Sequence, residues 1–148
     1  MLSLKKILET FLVFIFGALV FCVLWQVFSR YILNSPSTVT EELARFLLIW
    51  LTMFGASYTF MEKGHLALEL LAEKLNHPQW LEKVIAFALV FFGLIFILGG
   101  SHLVHSIWSL GQTTAVLGIP MAIIYLAAPL NGLIVFVFGC QQALEGHK

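Results

Sequence analysis

Charge is scarce in this sequence. Of its 148 residues 11% are Asp, Glu, Lys or Arg, and the two signs cancel to a formal net charge of zero. With 60% hydrophobic residues and a mean hydropathy of +0.96, a soluble fold of this size could not hide its apolar surface, so lipid must cover much of it. The missing basic excess argues against nucleic acid as a partner and supplies no strong surface field. Cysteine is nearly absent as well. Cys22 and Cys140 both lie in apolar runs without a CxxC neighbour, which argues against a redox centre or a zinc site and leaves them as small apolar residues. The length leaves no room for a second domain of ordinary size, and there is neither an internal repeat nor a low-complexity linker.

What the chain does have is four long apolar runs, approximately Ile7–Leu33, Leu43–Met61, Leu81–Leu103 and Ile119–Leu144. Each reaches the roughly 20 residues that a helix needs to cross a hydrocarbon core of about 30 Å. Their composition suits helices rather than alternating barrel strands. The expected fold is an all-α membrane protein: one four-helix membrane domain over residues 1–148. Lys5 and Lys6 before the first run resemble a signal peptide's start, but the run is too long for an h-region and shows no small-x-small cleavage site. A retained first span is expected. Lys5, Lys6, Lys63, Lys74, Lys83 and Lys148 fall on one side of this topology, and only Arg30 and Arg45 on the other. The positive-inside tendency then predicts that both termini are cytoplasmic.

The connections differ in kind. Asn34-Ser-Pro-Ser-Thr-Val-Thr40 reads as a polar turn, with Pro36 stopping the first helix and Thr40 as N-cap of a helix opening at Glu41. Between spans two and three, residues 65–76 place Leu66, Leu70, Leu71 and Leu75 on one side and Glu69, Glu73 and Asn76 on another. That pattern fits an amphipathic helix, either lying in the membrane interface or packing on a partner. Gly111 to Pro120 carries no charge and ends in a proline suited to opening span four.

Arg30, Glu41, Glu42 and Arg45 converge on one end of the spans. Glu41 and Arg45 are four apart on one helix and can meet, and Arg30 could pair with Glu42 across the turn. Read from the residues alone, these are either snorkelling charges that set the depth of the spans or a network that braces helices and meets another protein.

The stretch Glu41-Glu42-Leu43-Ala44-Arg45-Phe46, followed by Ile49-Trp50-Leu51 and Gly55-Ala56, resembles the small membrane subunit of tripartite ATP-independent periplasmic (TRAP) transporters. So do Glu62-Lys63-Gly64-His65, Leu117-Gly118-Ile119-Pro120 with Tyr125 and Pro129, and Arg30-Tyr31 closing span one. The resemblance covers nearly the whole chain. It implies an accessory, multi-pass protein of the bacterial inner membrane. Its partners would be a large membrane subunit carrying substrate and sodium by an elevator-like motion, a periplasmic substrate-binding protein, and membrane lipids. It implies that Arg30, Glu41, Glu42 and Arg45 form a bracing or docking cluster. Glu62, Gly64 and His65 would shape the opposite bend, Gly118 and Pro120 the opening of span four, and Tyr125 and Pro129 its signature, with Trp50 packing on a partner. The transported solute would be an organic acid such as a dicarboxylate, sialic acid or another sugar acid. No substrate site, metal, cofactor or enzymatic activity is expected of this subunit itself.

The remaining features carry less. His102 and His105 share a face near the end of span three but have no third ligand at matching depth. Trp80 and Trp108 bracket span three as interfacial belts do. Gly93, Gly99 and Gly100 suit either close helix approach or the general frequency of glycine in membrane helices. Asn131, after Pro129, is expected to make a packing hydrogen bond. Three rival functions remain, one of them an assembly factor of no fixed complex. A homodimeric four-span exporter would need a membrane-embedded carboxylate, and a quinone-type membrane enzyme would need facing histidines or paired cysteines.

Overall fold

In a computed structural model the described residues are 2–61 and 78–145. They form helices α1 (Leu2–Tyr31), α2 (Thr38–Met61), α3 (Pro78–Ser109), the short α4 (Met121–Tyr125) and α5 (Ala127–Glu145). Four segments are long and apolar enough to cross a membrane: Lys5–Tyr31, Thr38–Met61, Lys83–Ser109 and Met121–Leu144. The all-α, four-span architecture expected from the sequence is the one observed. The amphipathic helix expected over residues 65–76 lies outside the described residues, as do Glu62, Gly64 and His65.

Local chemistry shifts two boundaries. The second helix opens at Thr38, several residues before Glu41. The cap position is Ser37, not Thr40: its carbonyl accepts the Glu41 N–H at 3.3 Å and its hydroxyl the Thr40 N–H at 3.5 Å. Both residues are good caps, and Ser37 is favoured because it is itself held, through its N–H, by the buried Ser29 hydroxyl of α1. Span four is interrupted at Leu126, between α4 and α5. Pro129 has no N–H to give the Tyr125 carbonyl, so the helical ladder breaks one turn before it.

The packing has a seven-residue rhythm. α1 buries Leu8, Ile15, Cys22 and Ser29, and α3 buries Ala86, Gly93, Gly100 and Ile107. A repeat of seven holds one seam against a neighbour only if the helices coil gently around each other with a left hand. For α1 that neighbour is α2. An aromatic knot of Phe11, Trp50 and Phe54 closes the pair, with ring centroids 5.5–6.2 Å apart. Each such ring pair contributes about 0.5–1.5 kcal/mol beyond burial.

For α3 the neighbour is α5, and the seam is made of glycine. A Cβ on Gly93 would lie 2.7 Å from Phe136 Cβ, and one on Gly132 only 2.8 Å from the Ile97 nitrogen and 3.0 Å from the Gly93 carbonyl oxygen. Gly100 receives Pro129, and Gly139 receives Leu89 and Val90. In lipid there is no hydrophobic force to drive helices together, so the close backbone approach that glycine allows is what binds this pair.

α2 joins the two pairs by packing on α5, where the Ser57 hydroxyl donates a hydrogen bond to Asn131 Oδ1. Both residues are buried, so the bond satisfies polar groups that lipid could not. Among the described residues α1 touches only α2, and α3 touches only α5 and α4. The spans therefore stand in a row, α1–α2–α5–α3, rather than in a closed ring. Each span consequently keeps most of its surface outward. Of the residues in its most apolar stretch, 11% to 33% are buried within the chain.

Candidate functional site

The charged residues singled out above meet where α1 ends and α2 begins. The turn between them is held by the Ser35 N–H to the Ser29 carbonyl at 3.1 Å, with Asn34 at a φ of 50°, a value that asparagine tolerates better than most residues. Beside it lies the loop from Gly111 to Pro120. Its neck is paired twice, Thr114 N–H to the Ile119 carbonyl and Met121 N–H to the Gln112 carbonyl, both at 2.9 Å. The buried Thr114 hydroxyl also accepts the Ile119 N–H at 3.1 Å. Gly111 and Gly118 take φ values of 62° and 64°, where a side chain would be strained, so they let the chain turn in and out of the loop. Pro120, two residues beyond Gly118, is the N-cap of α4.

The tip of this loop points three successive backbone N–H groups at one carboxylate. Glu42 accepts from Ala115 at 3.1 Å, Val116 at 3.1 Å and Leu117 at 2.8 Å. Successive main-chain N–H groups of this kind make an anion-binding concavity, and hydrogen bonds to an ionised acceptor are about twice as strong as neutral ones. Glu42 thus fastens the loop before span four to α2. The expected Arg30–Glu42 pair does not form, because the carboxylate is already taken by the loop.

Glu41 and Arg45 do meet, Nη2 to Oε1 at 3.0 Å, one turn apart on α2. The Arg45 and Glu41 side chains are 67% and 63% exposed, so the pair contributes only about 0.3–0.5 kcal/mol to stability. Arg30 stands apart from this pair. Its guanidinium lies 5.9 Å from the Tyr31 ring centroid and, among the described residues, it has no carboxylate within salt-bridge distance. It lines a cleft of about 260 Å³ together with Gln26, Val27, Tyr31, Ser37 and Glu41.

The other expected residues are dispersed. Trp50 sits half-buried in the aromatic knot with Phe11 and Phe54, a contact within the chain. Pro129 presses on Gly100 inside the α3–α5 seam, and Tyr125 ends α4. His102 and His105 are both exposed on α3, and among the described residues no group of three His, Cys, Asp or Glu side chains is placed to hold a metal ion. What sequence reasoning missed is the partner of Glu42. The only hint was an uncharged loop with a glycine near each end.

Residues 19–148 match the family described as tripartite ATP-independent periplasmic transporters, DctQ component. A TRAP transporter small permease protein of Haemophilus influenzae is 30% identical over 134 residues, which cover 88% of this chain and 81% of that protein. The sialic acid TRAP transporter small permease protein SiaQ of Vibrio cholerae is 31% identical over 66% of this chain and 58% of its own length. The C4-dicarboxylate TRAP transporter small permease protein DctQ of Rhodobacter capsulatus is 28% identical over 62% of this chain and 41% of its own length. The chain thus spans less than two thirds of these last two relatives. With four membrane-spanning helices, a matched region running from within the first span to the last residue, and such relatives, the chain belongs to the family of small membrane components of TRAP transporters.

Proposed function

We propose that this small subunit braces the scaffold of a large sodium-coupled membrane subunit and offers part of the surface on which the periplasmic substrate-binding protein docks. The observation that carries this reading is the row of four spans. A buried polar contact between spans, Ser57 to Asn131, is satisfied internally, and the charged side chains of the described spans lie toward the helix ends. A row offers a partner a broad apolar flank, and among the described residues the spans do not close into a ring around a polar path. The exposed end, with Arg30, Glu41 and Arg45 around a loop fastened by Glu42, suits contact with a soluble partner.

As a family member with four spans, the chain is a multi-pass protein of the inner membrane. Its lysine distribution supports an orientation with both termini cytoplasmic, which turns the Arg30 end toward the periplasm. The transported solute is an organic acid, a class to which both sialic acid and C4-dicarboxylates, named for two relatives, belong. The runner-up, a homodimeric exporter, needs a carboxylate deep in the membrane, and the described spans carry their carboxylates near the ends.

Co-purification from membranes tests the proposal. The tagged chain should bring down a larger multi-span subunit, and the pair should bind a periplasmic substrate-binding protein. Recovery only as a homodimer that transports solute unaided would refute it.

A further inference from the structure

We infer that the cleft between the end of α1 and the start of α2 receives a carboxylate side chain of the docking partner, with Arg30 as its counter-charge. This rests on the docking reading above and assigns the electrostatic part of that contact to one of the four charged residues. The assignment follows from charge accounting. Glu42 is consumed by three loop N–H groups, and Glu41 is held by Arg45 at 3.0 Å. Of the four, Arg30 keeps an exposed charge that no carboxylate among the described residues compensates, and it lies beside the Tyr31 ring. Its guanidinium offers two parallel donors, a geometry that fits a carboxylate in a bidentate pair. Gln26 and Ser37 on the same walls are neutral hydrogen-bonding groups, and Pro36 closes the rim.

Size and lining select the occupant. At about 260 Å³ the cleft falls below the roughly 300–1,000 Å³ of sites that enclose small molecules, so it suits the tip of an inserted side chain better than a retained solute. Val27 and Pro36 are its aliphatic lining, and the other side chains there carry polar atoms. A phospholipid headgroup is the rival occupant, since exposed Val23 and Val20 continue the Val27 stripe one and two turns along α1, and the lipid arm of the test separates it from a protein side chain. An acidic side chain from a protein needs only the mouth.

The test uses this chain in complex with its large subunit, reconstituted in nanodiscs of phosphatidylcholine, and titrates the loaded cognate substrate-binding protein. Arg30→Gln should weaken binding about tenfold and Arg30→Glu further, while Arg30→Lys, which lacks the fork, keeps part of the affinity. Raising the salt concentration should weaken the wild-type association more than that of Arg30→Gln. A carboxylate-to-arginine change on the binding protein should rescue Arg30→Glu. Yield of the two-subunit complex should not change in any variant. A bulky maleimide on Thr38→Cys, in a Cys22→Ala and Cys140→Ala background, separates the two levels of the argument. If the adduct blocks docking while Arg30→Glu binds like wild type, the cleft is not the receptor and the docking reading stands. If neither change affects binding, the docking reading itself fails. If Arg30→Gln has an effect only in discs that contain phosphatidylglycerol, the occupant is a lipid headgroup and the inference is overturned.

Discussion

Glu42 on α2 accepts the backbone N–H of Leu117 at 2.8 Å, joining residues 75 positions apart. With the two weaker bonds from Ala115 and Val116, this carboxylate fixes a loop that otherwise touches the rest of the chain mainly through its neck. Glu42→Gln keeps one accepting oxygen and removes the charge, so amide exchange at 115–117 should speed up. Thermal stability in detergent should fall by about 1–3 kcal/mol, the usual cost of losing charge-assisted hydrogen bonds. Hydrogen–deuterium exchange on the purified protein reads the first effect directly. Protection unchanged at all three amides would refute the clamp.

The Glu41–Arg45 pair leads to a different expectation. Arg45→Ala should leave insertion and stability nearly unchanged, because an exposed i,i+4 pair contributes little. It should nevertheless weaken binding-protein association. Glu41 lines the Arg30 cleft and, freed from Arg45, competes for that guanidinium. The double variant Glu41→Gln with Arg45→Ala should recover part of the affinity. Binding assays on the three variants check the order.

Glycines that look alike in the sequence should behave oppositely. Gly93→Ala or Gly132→Ala places a methyl group within 3 Å of facing backbone and should cost about 1–3 kcal/mol, the usual penalty of overpacking. Gly99→Ala meets nothing within 4 Å and should be neutral or slightly stabilising. Unfolding in mixed micelles with increasing denaturing detergent compares them.

A double-mutant cycle on Ser57→Ala and Asn131→Ala should return a coupling of about 0.6 kcal/mol and no more than about 1.7, the range for interhelical hydrogen bonds in membranes. A coupling of zero would mean that the bond adds nothing to the α2–α5 contact.

The legible and illegible parts of this molecule divide on physical grounds. Four spans were readable because hydropathy over 20 residues is a sum that no single position controls. The seven-residue seams were not readable. In α1 and α3 the outward faces are as apolar as the inward ones, so Phe14 and Ile15 offer no polar contrast to mark a period. Gly99 and Gly100 are adjacent and identical in type, and only the direction each faces separates an open surface from contact with Pro129. The Glu41–Arg45 pair followed from helical spacing alone. The Glu42 contact could not, since its donors are main-chain groups that any residue in the loop would supply. Ser37 displaced Thr40 as cap through a tertiary contact with Ser29, which local propensity cannot anticipate.

Because α1 and α2 are consecutive, and α3 and α5 nearly so, the molecule divides at its middle into two helical hairpins. Each hairpin is closed by short-range contacts that can form as soon as its second helix has left the translocation machinery, at little loop-closure cost. The seam between the hairpins is another matter: Ser57–Asn131 and Glu42–Leu117 both cross it, at separations of 74 and 75 residues. Synthesis must therefore be nearly finished before the halves can latch, and until then Ser57 within its span and the Glu42 carboxylate at the helix end wait without their mates. A nascent chain arrested in that interval would be a natural target for membrane quality control.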